Sequence, residues 1–345
     1  MPDDRIEGKW IDAFSEVFAR CAVRAGEPAA ILSETQSRPV NVHLAELALL
    51  RLGARPFHIV LPTPRNPHPV PVRSTGASEA IGGLAPVVTA LAATPFIVDC
   101  TIEGLMHAPE TPSILKGGAR IQVISNEHPE ALERLAPDEA LMNEVRAAAK
   151  RLRGATRMHV TSGAGTDLAI DMREATTVGI WGWTDRPGTL AHWPGGLVVS
   201  FPAAKTVSGT LVLDAGDINL TFKRYIDRPI RLTLVEDYIT QIEGTGADAE
   251  MMRGYLAAWG DREAYAVSHV GFGMNRRARY EALAMYGRDA TNGTELRAVA
   301  GNFLFSTGAN EFAKRYTAGH FDIPVMRTTI AVDDEVMVRD GELAR

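Results

Sequence analysis

Four histidines and one aspartate stand in settings that side-chain chemistry could use. The stretch Gly319-His320-Phe321-Asp322-Ile323-Pro324 puts an imidazole and a carboxylate two residues apart. In an extended chain alternate side chains face the same way, so His320 and Asp322 can address one ion. His269, in Ser268-His269-Val270-Gly271-Phe272-Gly273-Met274, has small neighbours that leave room for a ligand near the backbone. Two imidazoles and one carboxylate make a facial triad, which leaves positions on a non-heme Fe(II) open for substrate and dioxygen. On spacing alone the plainer reading stays open, a histidine hydrogen-bonded beside a solvated aspartate. His192, in the turn-rich Ala191-His192-Trp193-Pro194-Gly195-Gly196, and His107, just beyond an apolar run ending at Asp99, complete the set. Loops after strand C-termini are where ligands bind in α/β sheets. His43, His58, His68, His128 and His159 fall on helix, strand or proline-loop positions, where a surface or core role is expected.

The elements that must position these groups follow from apolar patterning. Residues 10–24 repeat apolar side chains at helical spacing up to Gly26. Short apolar strands are then predicted at 29–32, 57–61, 96–99 and 121–124, alternating with helices near 42–52, 84–93 and 113–116. Such alternation argues for a parallel sheet covered by helices. Five prolines between Pro62 and Pro71 mark a loop. A long charged amphipathic helix is predicted over 129–153, and the domain boundary is placed there. The second half reads as strands at 197–201, 210–214, 230–235 and 239–242, then a helix over 247–259. The expected fold class is α/β, with a parallel-sheet domain at 1–153 and a metal-binding α+β domain at 154–345.

Composition removes several functions. The 345 residues are 46% hydrophobic, 23% charged and 7% aromatic, an ordinary globular profile. With 36 Lys and Arg against 42 Asp and Glu, the net charge of -6 gives no attraction for nucleic acid. Cys21 and Cys100 stand alone, so neither a disulfide framework nor a thiolate zinc site is available, and a reducing cytoplasm is the expected setting. The start Met1-Pro2-Asp3-Asp4-Arg5 reads as no signal peptide. The uncharged stretch 81–98 is broken by glycine and proline and reads as helix plus strand, so no membrane is expected. No GxGxxG or Walker loop follows the first strand.

Several segments, in order, resemble the 2,5-dihydroxypyridine 5,6-dioxygenase family of Fe(II) ring-cleaving enzymes, built on the aminopeptidase T-like fold. They are Ala164-Gly165-Thr166-Asp167, His192-Trp193-Pro194, Gly209 to Asp214 with Gly216-Asp217-Ile218, Ser268-His269, Gly301 to Gly308, and His320 to Pro324. The resemblance implies Fe(II) held by His269, His320 and Asp322. It implies pocket roles for His192 and His107, with His192 the expected proton acceptor, and a substrate contact for Ser306. It further implies a homo-oligomer acting on a small aromatic substrate and O2, opening a hydroxylated N-heteroaromatic such as 2,5-dihydroxypyridine with both oxygen atoms inserted. One position departs: where the family has a pocket Glu, this chain has Ile180, between Gly179 and Trp181. Trp181 and Trp183 read as core or as an aromatic wall. The rival is a metalloaminopeptidase-like hydrolase with two metal ions. Its acidic ligand is expected near Phe201-Pro202-Ala203-Ala204-Lys205-Thr206, where Lys205 is expected to repel a second cation.

Overall fold

A computed structural model describes residues 5–71 and 76–344; residues 1–4, on which the signal-peptide expectation partly rests, lie outside it. The chain opens with α1 (Gly8–Arg20), then alternates β1 (Pro28–Glu34), α2 (Pro39–Arg51), β2 (Arg55–Leu61), α3 (Ala85–Ala92), β3 (Phe96–Asp99), α4 (Thr111–Lys116) and β4 (Arg120–Ile124). The strands pair in parallel in the order β2-β1-β3-β4. Every residue of β3 and β4 is buried, as a parallel strand covered on both faces requires. Alternation divides them: Ala29, Ile31, Phe96 and Val98 pack with Phe14, Phe18 and Leu44 on one side, and Ala30, Leu32, Ile97 and Ile121 with Leu91 and Ile114 on the other.

The helix predicted over 129–153 is two helices, α5 (Pro129–Arg134) and α6 (Glu139–Arg153). Pro137 cannot continue a helix, and Asp138 starts a new one by accepting the Leu141 N–H at 2.8 Å. Beyond come β5 (Arg157–Thr161), β6 (Asp167–Asp171), β7 (Thr176–Ile180), β8 (Thr189–Trp193), β9 (Leu197–Phe201) and β10 (Val207–Leu213). The segment around His192, read as a turn-rich loop, is β8. It pairs in parallel with β4, Val123 opposite His192, and supplies the fifth strand of the N-terminal sheet from past residue 153.

The remaining elements are the small pair β11 (Ile218–Asn219) and β12 (Arg224–Tyr225), then β13 (Ile230–Val235), β14 (Tyr238–Gly244), α7 (Ala247–Ala258), β15 (Val267–Gly273), α8 (Ala282–Met285), α9 (Thr294–Ala298), β16 (Phe303–Asn310), β17 (Arg315–Val325), β18 (Thr329–Val332), β19 (Glu335–Arg339) and β20 (Glu342–Leu343). Eight strands form one sheet, β14-β13-β10-β6-β5-β18-β19-β20, and five form another, β17-β16-β15-β9-β7. Leu168, Leu211, Ile230 and Leu232 from the first share a core with Val270, Phe272, Phe303, Phe305, Phe321 and Ile323 from the second. The residues between those on the five-stranded sheet, His269, Gly271, Leu304, Ser306 and Asp322, therefore face away from that core.

Gly271 sits where β15 lies against β9, paired with Val199, and a Cβ there would enter the space of the Val198 carbonyl oxygen. Gly271→Ala must part the two strands and is expected to cost about 3 kcal/mol, read as a lower urea midpoint at unchanged slope.

Candidate active site

Adjacent strands bring two of the proposed ligands, His269 and Asp322, into one row, with His320 two residues back on β17, opposite Gly308. His269 on β15 is opposite Ser306 on β16, which is opposite Asp322 on β17. Side chains directly opposite lie close enough to bond. His269 Nε2 is 3.0 Å from Ser306 Oγ and 3.8 Å from Asp322 Oδ1, while His320 Nε2 is 3.2 Å from Asp322 Oδ2. The two imidazole rings stack at 5.9 Å. Ser306 also donates a short hydrogen bond to Asp322 Oδ1. Asp322 is 2% exposed, and Arg297 from α9 grips its Oδ2 through Nε at 2.6 Å and Nη2 at 2.5 Å. Burial opposes the charge on Asp322, yet Arg297, His320 and His269 together hold its carboxyl well below the usual range. For His269 burial dominates, holding the imidazole down at about 3 despite Asp322, so it is neutral.

His269, His320, Asp322 and Arg297 floor a cavity of about 240 Å³ between the five-stranded sheet and the C-terminal end of the parallel sheet. His107 and His192 line it from the opposite side. Asp99, at the end of β3, shapes the loop carrying His107 by accepting from the Thr101 N–H, the Thr101 hydroxyl and the Leu105 N–H. Burial pushes Asp99 up to about 6 against those donors. The His107 ring lies 6.5 Å from that of His320; burial and that neighbour lower it to about 4. His192 is lowered to about 4 by burial and Arg297, and its Nδ1 is buried without a hydrogen-bond partner.

Among the described residues no group of three or more His, Cys, Asp or Glu is spaced, as it stands, to hold a metal ion. Asp322 spends its oxygens on Arg297, His320 and Ser306 instead. The donors still fit a divalent cation. Ser268 donates to the Ala309 carbonyl at 2.6 Å and lies 3.2 Å from His269 Nδ1, which assigns the ring proton to Nδ1 and leaves Nε2 bare. Ser306 then has one hydroxyl proton for two acceptors, His269 Nε2 and Asp322 Oδ1. The uncommitted electron pair is one a cation takes.

Ser306 is fully buried and does not line the cavity, whereas Ile180 does. Trp183 and Trp181 pack into the core rather than forming an aromatic wall. Lys205 lies outside the cavity, beside Glu236 at 3.8 Å, so the repulsion expected of it does not act there; Phe201 stands next to His269 instead, ring centres 5.5 Å apart. Sequence reasoning passed over Arg297, Asn126, Asn292, Thr294 and Lys223, which also line the cavity. Buried Glu127 holds the start of α9, the helix bearing Thr294 and Arg297, by accepting the N–H groups of Asn292, Gly293 and Glu295. The one signal was position: Arg297 precedes the Gly301-Asn302 segment by four residues.

A family model described as 2,5-dihydroxypyridine 5,6-dioxygenase matches residues 9–345. A 2,5-dihydroxypyridine 5,6-dioxygenase of Pseudomonas putida KT2440 is 36% identical over 335 residues, covering 96% of this chain and 94% of that protein. The solved structure of 2,5-dihydroxypyridine dioxygenase from Pseudomonas putida KT2440 superposes with a TM-score of 0.91 at 35% identity, over 97% of this chain and 96% of that one. Wild-type AmpT from Thermus thermophilus shares the fold, with a TM-score of 0.59 at 13% identity over 98% and 99% of the two chains.

Removing Arg297 leaves a buried carboxylate short of its main counter-charge. In chelator-treated protein Arg297→Met is expected to lose about 3 kcal/mol of unfolding free energy. Arg297→Met with Asp322→Asn should recover most of it, as a urea double-mutant cycle would measure.

Proposed function

We infer the chemistry from one premise: this chain belongs to the 2,5-dihydroxypyridine 5,6-dioxygenase family and is a ring-cleaving dioxygenase, an oxidoreductase. Its reading as an Fe(II) enzyme that opens 2,5-dihydroxypyridine or a related hydroxylated N-heteroaromatic is supported above all by the convergence of His269, His320 and Asp322 on the floor of a cavity that His107 and His192 also line. Fe(II) held by those three side chains would supply open positions for a substrate oxygen and dioxygen and the redox path between them.

The chain's own residues do the rest. His192 lines the cavity and is uncharged near neutral pH, so its imidazole is the group that receives the proton of a ring hydroxyl as that oxygen binds. His107, neutral and facing His320, holds an exocyclic oxygen by hydrogen bonding. Ser306 orients His269 and Asp322, so its influence on substrate runs through them. Phe201, Val199 and Leu304 keep water from the ring face, and Ile180 sits further along the same wall. Two free buried thiols accord with a reducing cytoplasm, and no helix among the described residues is long and apolar enough to cross a membrane. The homo-oligomer implied by the resemblance is read by light scattering.

Protein reconstituted anaerobically with Fe(II) should consume one dioxygen per ring opened, and His269→Ala or Asp322→Ala should lower turnover by at least about a thousandfold. Oxygen uptake with dihydroxypyridines, trihydroxypyridines and hydroquinones checks this. Zinc-supported release of amino acids from a peptide without oxygen would instead establish the hydrolase.

A further inference from the structure

We propose that the ring opened by this protein carries an apolar extension, an alkyl chain or fused hydrocarbon ring, on the edge away from its metal-binding oxygens, and that the outer face of β7 and β9 receives it. The proposal rests on the reading of His269, His320 and Asp322 as the metal-binding corner.

Strand register carries the argument. The ligand row runs from Asp322 through Ser306 to His269, with Phe201 beside it. Two residues along each strand, about 6.6 Å further, the same face presents Leu304, Gly271, Val199 and Val178, paired in that order across β16, β15, β9 and β7. Another two residues on, about 13 Å further along the strand direction than the ligand row, Leu197 on β9 is opposite Ile180 on β7. Gly271 contributes no side chain, so the middle row is a shallow trough. Val178, Ile180, Leu197, Val199 and Leu304 all line the same cavity as the ligands.

Leu197, Val199 and Leu304 are already covered by protein, so the hydrocarbon left for a substrate is at the β7 end of the two rows, beyond a single six-membered ring seated at the ligand row. Val178 and Ile180 are only half-buried, so hydrocarbon still faces the cavity. Covering it with apolar substrate is favourable. A hydroxyl, amide or carboxylate directed there would lose its water and meet no donor or acceptor among these side chains. Polar lining groups, including Asn126, Asn292, Thr294 and Lys223, come from other segments of the chain, where ring oxygens can be recognised.

The test compares 2,5-dihydroxypyridine with the same ring carrying a propyl group at each free carbon in turn. Anaerobic calorimetry on Fe(II)-loaded protein gives affinity, and oxygen uptake gives KM and kcat. At least one propyl isomer should bind about tenfold tighter or better, with the gain in KM rather than kcat, as uniform binding requires. Ile180→Glu should reverse that preference, and Ile180→Ala, which keeps the strand apolar, should shrink it. The proposal is overturned if no propyl isomer binds more tightly than the parent ring, or if the gain survives Ile180→Glu in protein of unchanged melting temperature. Were no ring of either kind to consume oxygen, the functional reading would fail, while the calorimetric ratio would still decide whether this wall takes hydrocarbon.

Discussion

The two-residue alternation of the five-stranded sheet is the constraint on which the site depends. Val270, Phe272, Phe303, Phe305, Phe321 and Ile323 point into a core shared with the eight-stranded sheet, and this fixes His269, Ser306 and Asp322 on the opposite face. A one-residue slip of β15, β16 or β17 would put aromatic rings in the cavity and a carboxylate in the core. The price of such a slip is several buried apolar side chains, each worth about 1.5–3 kcal/mol. Packing with no chemical role thus sets the geometry of the proposed ligands.

The other half of the site comes from the parallel sheet, at the end of its strands where backbone groups are free to be addressed. Asp99 folds the loop bearing His107, and Glu127, just beyond β4, collects the backbone N–H groups that open α9. That helix carries Arg297 to Asp322. Glu127 therefore connects the parallel sheet to the ionisation of a carboxylate on β17. Three acidic groups are kept in low-exposure positions by donors rather than by solvent, which makes the crevice stiff as well as polar.

Much of this was legible in the sequence. The strand at 96–99 has the expected bounds, the neighbouring strands and helices differ by a few terminal residues, and the His-x-Asp spacing correctly places both side chains on one face of a strand. What escaped depended on distant partners. The segment 189–193 is rich in turn formers on its far side and becomes a strand only because β4 offers an open parallel edge. Arg297 lies in a short charged segment resembling any solvated helix; its meaning is set by Asp322, 25 residues away and one strand over. Lys205 shows the converse, since proximity in sequence to Phe201 says nothing about which side of the turn a long side chain takes. The division of one predicted helix at Pro137 was available in the sequence, for proline cannot donate within a helix.

The return of β8 to the parallel sheet has a bearing on how the chain reaches this state. Val123 waits for His192, which is made 69 positions later, and until then the inner edge of β4 shows unpaired backbone groups. During synthesis the first half can collapse around its own helices while its sheet stays one strand short, and closing it must wait until the chain through α6, the β5–β6 hairpin and β7 has been made. Assembly of the crevice and completion of the first sheet are thus one event in time, late and non-local. His192, the residue that joins them, enters the cavity only when both halves have folded.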